Sequence, residues 1–439
     1  MTTRQSVYNL PGQPVAGMTP YVWQVLQSAL ELQLNGAAMD TAAKLAMAKG
    51  PRLEPSERHS VIRELDAINR HRARLGWALA LENAQVSPAN LAFAWAALAH
   101  RQTPEQLRPI TPVGRADASL IARIARRALD DNDAPEIVRL ECPAAFEADL
   151  RAALGERFAS ELRASLEPGP TDLRVNTLKA SVGDVALLLQ SENIEAQSMR
   201  WSPWGLRCAP QAKISATRVF SQGLVEFQDE GSQLIALLVD AQPEHQVLDY
   251  CAGAGGKTLA LAAAMKNKGH LVAADTNSDR LTRAKQRLKR AGVENAERRL
   301  IDGDWAKRHR LRFDRVLVDA PCSGTGSWRR NPDARWSQAA AKLDELAALQ
   351  DQILERAALF VKPGGRLIYA TCSLLPSENE HRIKAFLAGN AAFALSDGRD
   401  LWATLGAGAW PGGPEPFLRL SPATHRTDGF FGAVLGRAS

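Results

Sequence analysis

A regular alternation of strand-like and helix-like segments begins at Gln246 and constrains this chain more than any other feature. Short apolar runs at residues 247–250 and 270–275 are each followed by a helix-like stretch, at 258–265 and 278–291. The same alternation continues through a strand at 315–319, a helix at 337–360 and a strand at 365–372. Repeated strand–helix units predict an α/β fold with a doubly wound, mostly parallel sheet, whose ligands bind at the carboxyl ends of the strands.

The sequence before this region has a different character. Residues 1–140 are rich in Ala, Leu, Glu and Arg, and their apolar positions, such as Val61, Leu65 and Ile68, recur at helical spacing. They predict an all-helical N-terminal domain with helices at 21–34, 40–49, 55–74 and 88–99. Residues 141–235 mix helices, a strand at 173–177 and turns, and predict a connecting subdomain. Residues 236–439 then form the third domain.

Positive charge is concentrated in one part of the chain. The net charge of the 439 residues is +6, but residues 280–315 alone contain thirteen Lys or Arg against five Asp or Glu. Such a run is often only the solvated face of a helix. Because this one lies inside the predicted α/β domain, it favours a nucleic acid as the partner.

Five cysteines and the absence of a long apolar run indicate the class of protein. The cysteine number is odd and no close C-x-x-C pair occurs, which argues against a disulfide framework and against a metal site. No apolar run is long enough to span a membrane, and residues 1–10 lack the pattern of a signal peptide. We therefore expect a cytoplasmic chain with free thiols, no metal and no membrane contact, and we expect it to be monomeric.

A glycine-rich turn joins the first strand of the α/β domain to its first helix. Its glycines allow the backbone to approach a ligand, and the following helix offers free N–H groups. The turn lacks the first glycine of a phosphate-binding P-loop, where Cys251 stands, and the third glycine of a dinucleotide fingerprint, where Thr258 stands. The residues expected to contact a ligand are Cys251, Ala252, Gly253, Ala254, Gly255, Gly256 and Lys257.

Acidic residues at later strand ends complete a nucleoside-binding pattern. Asp275 ends the second strand, where a carboxylate accepts hydrogen bonds from ribose hydroxyls. Asp302 follows the next segment and is expected to read an adenine edge, with Asp304 as the alternative. Each acid taken alone is more commonly a turn residue.

Two cysteines follow apolar strands of the same predicted sheet. One strand ends at Asp319 and leads into Ala-Pro-Cys322-Ser, and another ends in Thr-Cys372-Ser. A lone cysteine at a strand end is usually a small buried apolar residue. If the two strands are neighbours, however, both thiols lie in one cleft.

This set of motifs resembles the RsmB/NOP (Sun/Fmu) family of RNA cytosine-5 methyltransferases. That family carries CAAPGGKT, a ribose-binding acid, D-x-PCS-x-TG, TCS and DGFF, which correspond here to 251–258, Asp275, 319–326, 371–373 and 428–431. The resemblance covers the chain from about residue 140 to its end. One departure is Gly253-Ala254, where the family usually has Ala-Pro, and the loss of proline predicts a looser cofactor loop.

The resemblance implies a Rossmann-like core that binds S-adenosyl-L-methionine and forms 5-methylcytidine in RNA. It assigns attack on the base to Cys372, contact with the ring to Asp319, and a part in product release to Cys322, while Lys257 orients Asp319. Asp319 is also expected to contact the cofactor. Arg329 and Arg330 are candidate contacts for RNA, and Arg174 and Asn176 are candidate contacts for RNA or the cofactor.

The resemblance to bacterial members favours ribosomal RNA as the substrate, with the N-terminal helical bundle as an RNA-docking domain and residues 141–235 as an RNA-binding subdomain. Transfer RNA is the alternative substrate, because the catalytic core would be the same. A further alternative is a ribosome assembly factor that binds RNA without catalysis. The presence of Cys322, Cys372 and Asp319 argues against this last alternative.

Overall fold

A computed structural model describes residues 17–210, 212–301, 303–337 and 340–439. The chain divides into two compact units, one formed by the residues up to Ala152 together with Asn331–Ala340, and one formed by the remainder. No helix among the described residues combines the length and apolar character needed to cross a bilayer.

The first unit is helical, as the sequence predicts. Its helices are α1 (Pro20–Leu34), α2 (Met39–Lys49), α3 (Pro55–Arg70), α4 (Arg72–Leu81), α5 (Pro88–Leu98), α6 (Pro104–Leu107), α7 (Arg115–Ile124) and α8 (Glu136–Arg139). Helix α5 is its centre, because every residue from Leu91 to Leu98 is buried. Apolar side chains on all faces are typical of a helix surrounded by others.

One predicted helix in this unit is in fact two. The stretch predicted at 55–74 breaks at His71, which adopts a non-helical conformation between α3 and α4. The buried carboxylate of Glu141 accepts hydrogen bonds from the backbone N–H groups of Ala73 (2.7 Å) and Arg74 (3.3 Å). These N–H groups belong to the first turn of α4, where they have no partner within the helix. Glu141 therefore caps a second helix start that the local sequence does not reveal.

Asn331–Ala340 belongs to the helical unit although it lies within the sequence of the α/β domain. The carboxylate of Asp333 accepts the backbone N–H of Met39 (2.8 Å), and the indole of Trp336 donates to the carbonyl of Asn69 (2.6 Å). The boundaries expected at residues 140 and 235 do not anticipate this excursion, because these contacts join residues far apart in sequence.

The second unit contains two sheets. The smaller sheet has the strand order β2-β3-β1-β4 and is antiparallel. Its strands are β1 (Thr171–Val175), β2 (Ala196–Ser198), β3 (Gly205–Cys208) and β4 (Val225–Phe227), and the helices of this region are α10 (Phe158–Leu166), α11 (Val182–Ser191) and α12 (Arg218–Ser221). Helix α9 (Ala144–Leu154) precedes them, and its residues up to Ala152 belong to the first unit.

The larger sheet has the order β10-β12-β9-β8-β5-β6-β7, with β11 paired to β12. Its strands are β5 (Gln246–Asp249), β6 (His270–Asp275), β7 (Ala296–Leu300), β8 (Phe313–Asp319), β9 (Val361–Thr371), β10 (Phe393–Ser396), β11 (Leu418–Leu420) and β12 (Phe430–Arg437). The helices of this part are α13 (Glu230–Leu238), α14 (Gly256–Ala264), α15 (Ser278–Ala291), α16 (Gly303–Arg308), α17 (Leu343–Ala358), α18 (Glu380–Gly389), α19 (Gly398–Thr404) and α20 (Pro422–His425).

Five neighbouring strands of this sheet, β9-β8-β5-β6-β7, run parallel, and β12 pairs antiparallel with each of its partners, β9, β10 and β11. The predicted doubly wound, mostly parallel sheet is therefore confirmed. From β5 the chain proceeds to β6 and β7 on one side and later returns to β8 and β9 on the other. This reversal makes the carboxyl ends of β5 and β8 the switch point at which such sheets bind ligands.

Two glycines bring the DGFF segment against the loop that carries Cys322. The Gly326 N–H donates to the carbonyl of Cys372 (2.9 Å), and the Gly429 N–H donates to the carbonyl of Gly326 (2.8 Å). A Cβ atom on Gly326 would lie 2.3 Å from the carbonyl oxygen of Gly429. Backbone atoms at that distance cannot move aside cheaply, so the contact requires glycine.

We expect Gly326→Ala to destabilise the second unit by about 1–3 kcal/mol, because the added methyl group forces these two backbone segments apart. The measurement is the denaturant midpoint of unfolding. Gly389→Ala is the matched control, since a Cβ atom there meets no atom within 4 Å. Equal midpoints for the two variants would contradict the expectation.

Candidate active site

A cleft of about 880 Å³ opens at the carboxyl ends of β5, β6 and β8. Ligand pockets for small molecules commonly have volumes of about 300–1,000 Å³. The lining includes the glycine turn and the polar side chains of Asp249, Lys257, Asp275, Arg280, Arg287, Asp319 and Cys322. The cleft therefore brings together Asp275, Asp319, Cys322 and the residues of the predicted ligand turn other than Gly255.

The glycine turn adopts the backbone that its sequence predicts. Gly253 and Gly255 have positive φ values of 56° and 80°, and α14 begins directly afterwards at Gly256. A Cβ atom on Gly253 would meet no atom within 4 Å, so its surface is open to a ligand. The Gly253 N–H donates to Asp275 (2.8 Å), which ties the turn to the end of β6.

Arg287, on α15, braces the same turn. Its guanidinium donates to the carbonyl of Ala254 (2.8 Å) and is held by the carboxylate of Glu226 (2.6 Å). This support stands beside the position where the family's usual proline is absent. No local sequence pattern identifies Arg287, because only the fold brings residues 254 and 287 together.

The predicted strand-end acids lie in different surroundings. Asp275 is buried, and its carboxylate accepts the N–H groups of Gly253 and Asn277 (2.7 Å to the latter) while retaining lone pairs for a ribose. Asp302 lies outside the described residues. Asp304 is exposed on α16, and among the described residues the cleft lining contains its neighbour Ile301 but not Asp304.

Asp249 is a site residue that the sequence analysis misses. It ends β5 and lines the cleft, and its Oδ2 accepts a hydrogen bond from the Thr258 hydroxyl (2.7 Å). Its Oδ1 is buried without a hydrogen-bond partner among the described residues. Burial raises the pKa of Asp249 to about 7, although the Thr258 hydrogen bond opposes the shift. A buried acceptor of this kind suits a cationic group such as an amino acid ammonium.

Lys257 and Asp319 form an ion pair at the centre of the cleft. The Lys257 Nζ lies 2.7 Å from the Asp319 Oδ2, and the lysine is almost fully buried. Burial alone would lower the pKa of Lys257, but the charge of Asp319 and its hydrogen bond outweigh burial and raise it. Lys257 therefore stays charged and fixes one carboxylate oxygen of Asp319.

The two motif cysteines face each other. The Sγ atoms of Cys322 and Cys372 are 3.4 Å apart, and both residues are partly exposed. The hydrogen bond with Cys372 and burial raise the pKa of Cys322 well above the ordinary thiol value. Burial likewise raises the pKa of Cys251, which lines the cleft beside the glycine turn. Cys142 and Cys208 are buried and free, away from this cleft.

The predicted RNA contacts are mostly buried. Arg174 and Asn176 are each 2% exposed; Arg174 donates to Gln228 (2.8 Å), and Asn176 donates to the carbonyls of Gly223 and Ala291. These polar groups are therefore buried and bound inside the protein, where they join distant segments of the chain, and their contact with a ligand stays a prediction.

Arg329 and Arg330 also make internal ion pairs. Arg329 is buried between Asp229 and Asp428, and Arg330 contacts Asp172 and Asp229 at 2.9 Å each. The side chain of Arg329 is 6% exposed and that of Arg330 is 27% exposed. A surface contact with RNA is therefore open to Arg330 and not to Arg329. Among the described residues, no cluster of three or more His, Cys, Asp or Glu could hold a metal ion.

The residues of the cleft fit S-adenosyl-L-methionine. Asp275 is placed for ribose hydroxyls, the open face of Gly253 allows close approach, and the unpartnered Asp249 oxygen suits the ammonium group of the methionine part. Arg287 and Lys257 support the turn and Asp319, respectively.

Comparisons with known proteins place these features in a family. Residues 236–436 match the family described as 16S rRNA methyltransferase RsmB/F, and residues 142–215 match its RsmF/B-like, ferredoxin-like domain. Ribosomal RNA small subunit methyltransferase B from Yersinia enterocolitica is 38% identical over 244 residues, which are 55% of this chain and 56% of that protein. The matched part therefore spans little more than half the length of this curated relative.

Two solved structures are also similar. A methyltransferase homologue from Pyrococcus horikoshii is 31% identical, covers 69% of this chain and 97% of its own, and has a TM-score of 0.58. The structure of PH0851 is 27% identical, covers 95% of this chain and 98% of its own, and has a TM-score of 0.78. These similarities confirm the predicted Rossmann-like methyltransferase fold, preceded by a helical region. The match to a methyltransferase family supports the predicted cofactor, S-adenosyl-L-methionine.

Asp249→Asn should remove a pH-dependent part of the stability. The folded protein keeps the Asp249 proton up to about pH 7, whereas the unfolded chain loses it near its ordinary pKa of 3.8. Relative to Asp249→Asn, the stability of the wild type is therefore constant below about pH 4, falls by at most about 1.4 kcal/mol per pH unit as the pH rises from about 4 to about 7, and is constant again above that.

The measurement is the difference in unfolding free energy between the wild type and Asp249→Asn across this pH range. The exposed Asp279→Asn provides the control for loss of a carboxyl group on the surface. A difference that stays constant with pH would show that Asp249 does not titrate in this way.

Arg287→Ala should weaken binding of S-adenosylhomocysteine by on the order of tenfold, because the glycine turn loses a charged hydrogen-bond donor. Calorimetric titration measures the change. Arg283→Ala, on the exposed face of the same helix, is the matched control. Equal affinities of the two variants would exclude a bracing role for Arg287.

Proposed function

Because this chain belongs to the RsmB/F family of methyltransferases, we propose that it methylates carbon-5 of a cytosine in ribosomal RNA with S-adenosyl-L-methionine. The observation that carries the proposal is the placement of Cys322 and Cys372, whose sulfurs are 3.4 Å apart, beside the Lys257–Asp319 pair at a cofactor-sized cleft. A methyltransferase for an already nucleophilic oxygen or nitrogen has no need of two thiols there.

Cytosine requires a catalytic thiol because carbon-5 of its aromatic ring is by itself a weak nucleophile. The Cys372 thiolate adds to carbon-6, the ring loses aromaticity, and carbon-5 gains enamine character. Asp319, fixed through one oxygen by Lys257, hydrogen-bonds the N3 side of the ring and stabilises the adduct. S-adenosyl-L-methionine supplies an electrophilic methyl group when bound.

Product release requires loss of the proton on carbon-5 and expulsion of Cys372. Before the reaction, the hydrogen bond with Cys372, burial and the charge of Cys372 all raise the pKa of Cys322. Once the Cys372 sulfur is bonded to carbon-6, the hydrogen bond with Cys372 and the charge of Cys372 no longer raise the pKa of Cys322. The Cys322 thiol then ionises more readily. Cys322 then accepts the carbon-5 proton, the double bond reforms, and Cys372 leaves as thiolate.

The names of the relatives and the charge of the surface support ribosomal RNA as the substrate. The Yersinia relative is named a ribosomal RNA small subunit methyltransferase. A base must leave its stack to enter the cleft, which favours a single-stranded or loop segment. Exposed basic residues from α15 to the start of β8 offer contacts for its phosphates: Arg280, Arg283, Lys285, Lys289, Arg298, Lys307, Arg308, Arg310 and Arg312.

Cys322→Ala should accumulate a covalent protein–RNA adduct, since Cys372 still attacks but release loses its base. The variant is mixed with ribosomal RNA and S-adenosyl-L-methionine, and the adduct is detected on a denaturing gel. Cys322→Ala with Cys372→Ala should give no adduct, and Cys208→Ala, which is remote from the cleft, should behave as the wild type. Absence of adduct from Cys322→Ala, with cofactor binding intact, would refute the proposed chemistry.

A further inference from the structure

Glu378 lies completely buried next to the two cysteine loops. Its Oε2 accepts hydrogen bonds from the hydroxyls of Ser323 and Ser373, both at 2.5 Å. Its Oε1 accepts the backbone N–H of Ser323 (2.8 Å) and the side-chain amide of Gln350 (3.1 Å). Four donors therefore converge on one carboxylate group, which can accept them all when ionised.

Each serine is the immediate neighbour of one of the two thiols. Ser323 follows Cys322 after β8, and Ser373 follows Cys372 after β9. We propose that Glu378 is a positioning residue that clamps the Cys322–Ser323 and Cys372–Ser373 dipeptides together and so sets the separation of the two thiols. This inference rests on the proposed function for its catalytic consequence, but the clamp itself concerns only the geometry of the loops.

The clamp is itself rigidly held. The Tyr369 hydroxyl donates to the carbonyl of Glu378 (2.7 Å), and the neighbouring Asn379 donates to the carbonyl of Ser373 (2.9 Å). Gln350 also donates to the carbonyl of Pro321 (2.9 Å), directly before Cys322. Side chains locked in this way restrict the motion of the groups that they orient.

Glu378 acts through other residues rather than on the substrate. It is fully buried, and among the described residues it does not line the cleft. Its charge adds, after the hydrogen bond with Cys372 and burial, to the factors that raise the pKa of Cys322. The carboxylate thus supports a protonated Cys322 before attack as well as the separation of the sulfurs.

Glu378→Gln tests the clamp, because it keeps the shape of the side chain and replaces one acceptor oxygen by a donor. The substrate is RNA in which 5-fluorocytidine replaces cytidine. Fluorine on carbon-5 cannot leave as a proton does, so the adduct stalls whether or not Cys322 acts. The rate of adduct formation therefore reports attack by Cys372 and methyl transfer.

We expect Glu378→Gln to slow adduct formation by on the order of tenfold to a hundredfold, with the dissociation constant for S-adenosylhomocysteine unchanged. Glu380→Gln is the matched control, since Glu380 is only two residues away and pairs with Arg419 near the surface. Adduct formation as fast in Glu378→Gln as in Glu380→Gln would overturn the inference. A parallel loss of cofactor affinity would also overturn it, because it would indicate general damage to the fold.

The two serines keep the test decisive if Glu378→Gln does not fold. Ser373→Ala should slow adduct formation on fluorinated RNA, because its neighbour Cys372 attacks. Ser323→Ala should also accumulate adduct on ordinary RNA, because its neighbour Cys322 acts in release. A wild-type rate in Ser373→Ala together with no accumulated adduct in Ser323→Ala would contradict the clamp.

A readout without RNA separates the clamp from the proposed function. Oxidised glutathione can convert the thiols of Cys322 and Cys372 into a disulfide with release of two reduced glutathione molecules, and this equilibrium reports how closely the protein holds the sulfurs. A smaller disulfide fraction in Glu378→Gln than in the wild type supports the clamp, whatever the wild type does with RNA. Absence of an RNA adduct in the wild type would refute only the proposed cytosine chemistry. Equal fractions would overturn the clamp.

Discussion

The parallel pairing of β8 with β9 is the constraint on which the site depends. Asp319 pairs in register with Ala370, so the two strands end almost level at the carboxyl edge of the sheet. The loops that follow carry Cys322 and Cys372, which are fifty residues apart in sequence and 3.4 Å apart in space. Because both strands are buried in the centre of the sheet, a slip in register would displace the thiols and expose apolar side chains.

Buried polar groups fix the loops that this pairing brings together. Glu378 collects the serines beside the two thiols, and Asp229 joins Arg329 and Arg330 to the segment that contains Asp428. Breaking such a buried network leaves charges without partners, which costs more than the network contributes when intact. The loops around the cleft are therefore held in one arrangement although they have little regular secondary structure.

The sequence is informative where a motif or a periodic pattern of apolar residues lies within one short segment of the chain. The alternation of strands and helices after Gln246 predicts the parallel sheet, and the glycine turn predicts a ligand site at Gly253 and Gly255, where the backbone has positive φ. Strand β7 escapes prediction because it is a short, largely exposed edge strand whose sequence, Ala-Glu-Arg-Arg-Leu, is dominated by charge. Charged edge strands do not show the apolar run by which the buried strands are found.

What the sequence determines by itself is the class of fold, the family and the chemical groups available, because these depend on local patterns and on motif residues. The tertiary structure decides which groups meet. It leaves one oxygen of Asp249 without a hydrogen-bond partner among the described residues, sets Arg287 against the glycine turn, places Glu378 beside both serines and buries Arg174 and Asn176. Each of these outcomes depends on contacts between distant segments, and burial and hydrogen-bond satisfaction cannot be read from the residues on either side of a position.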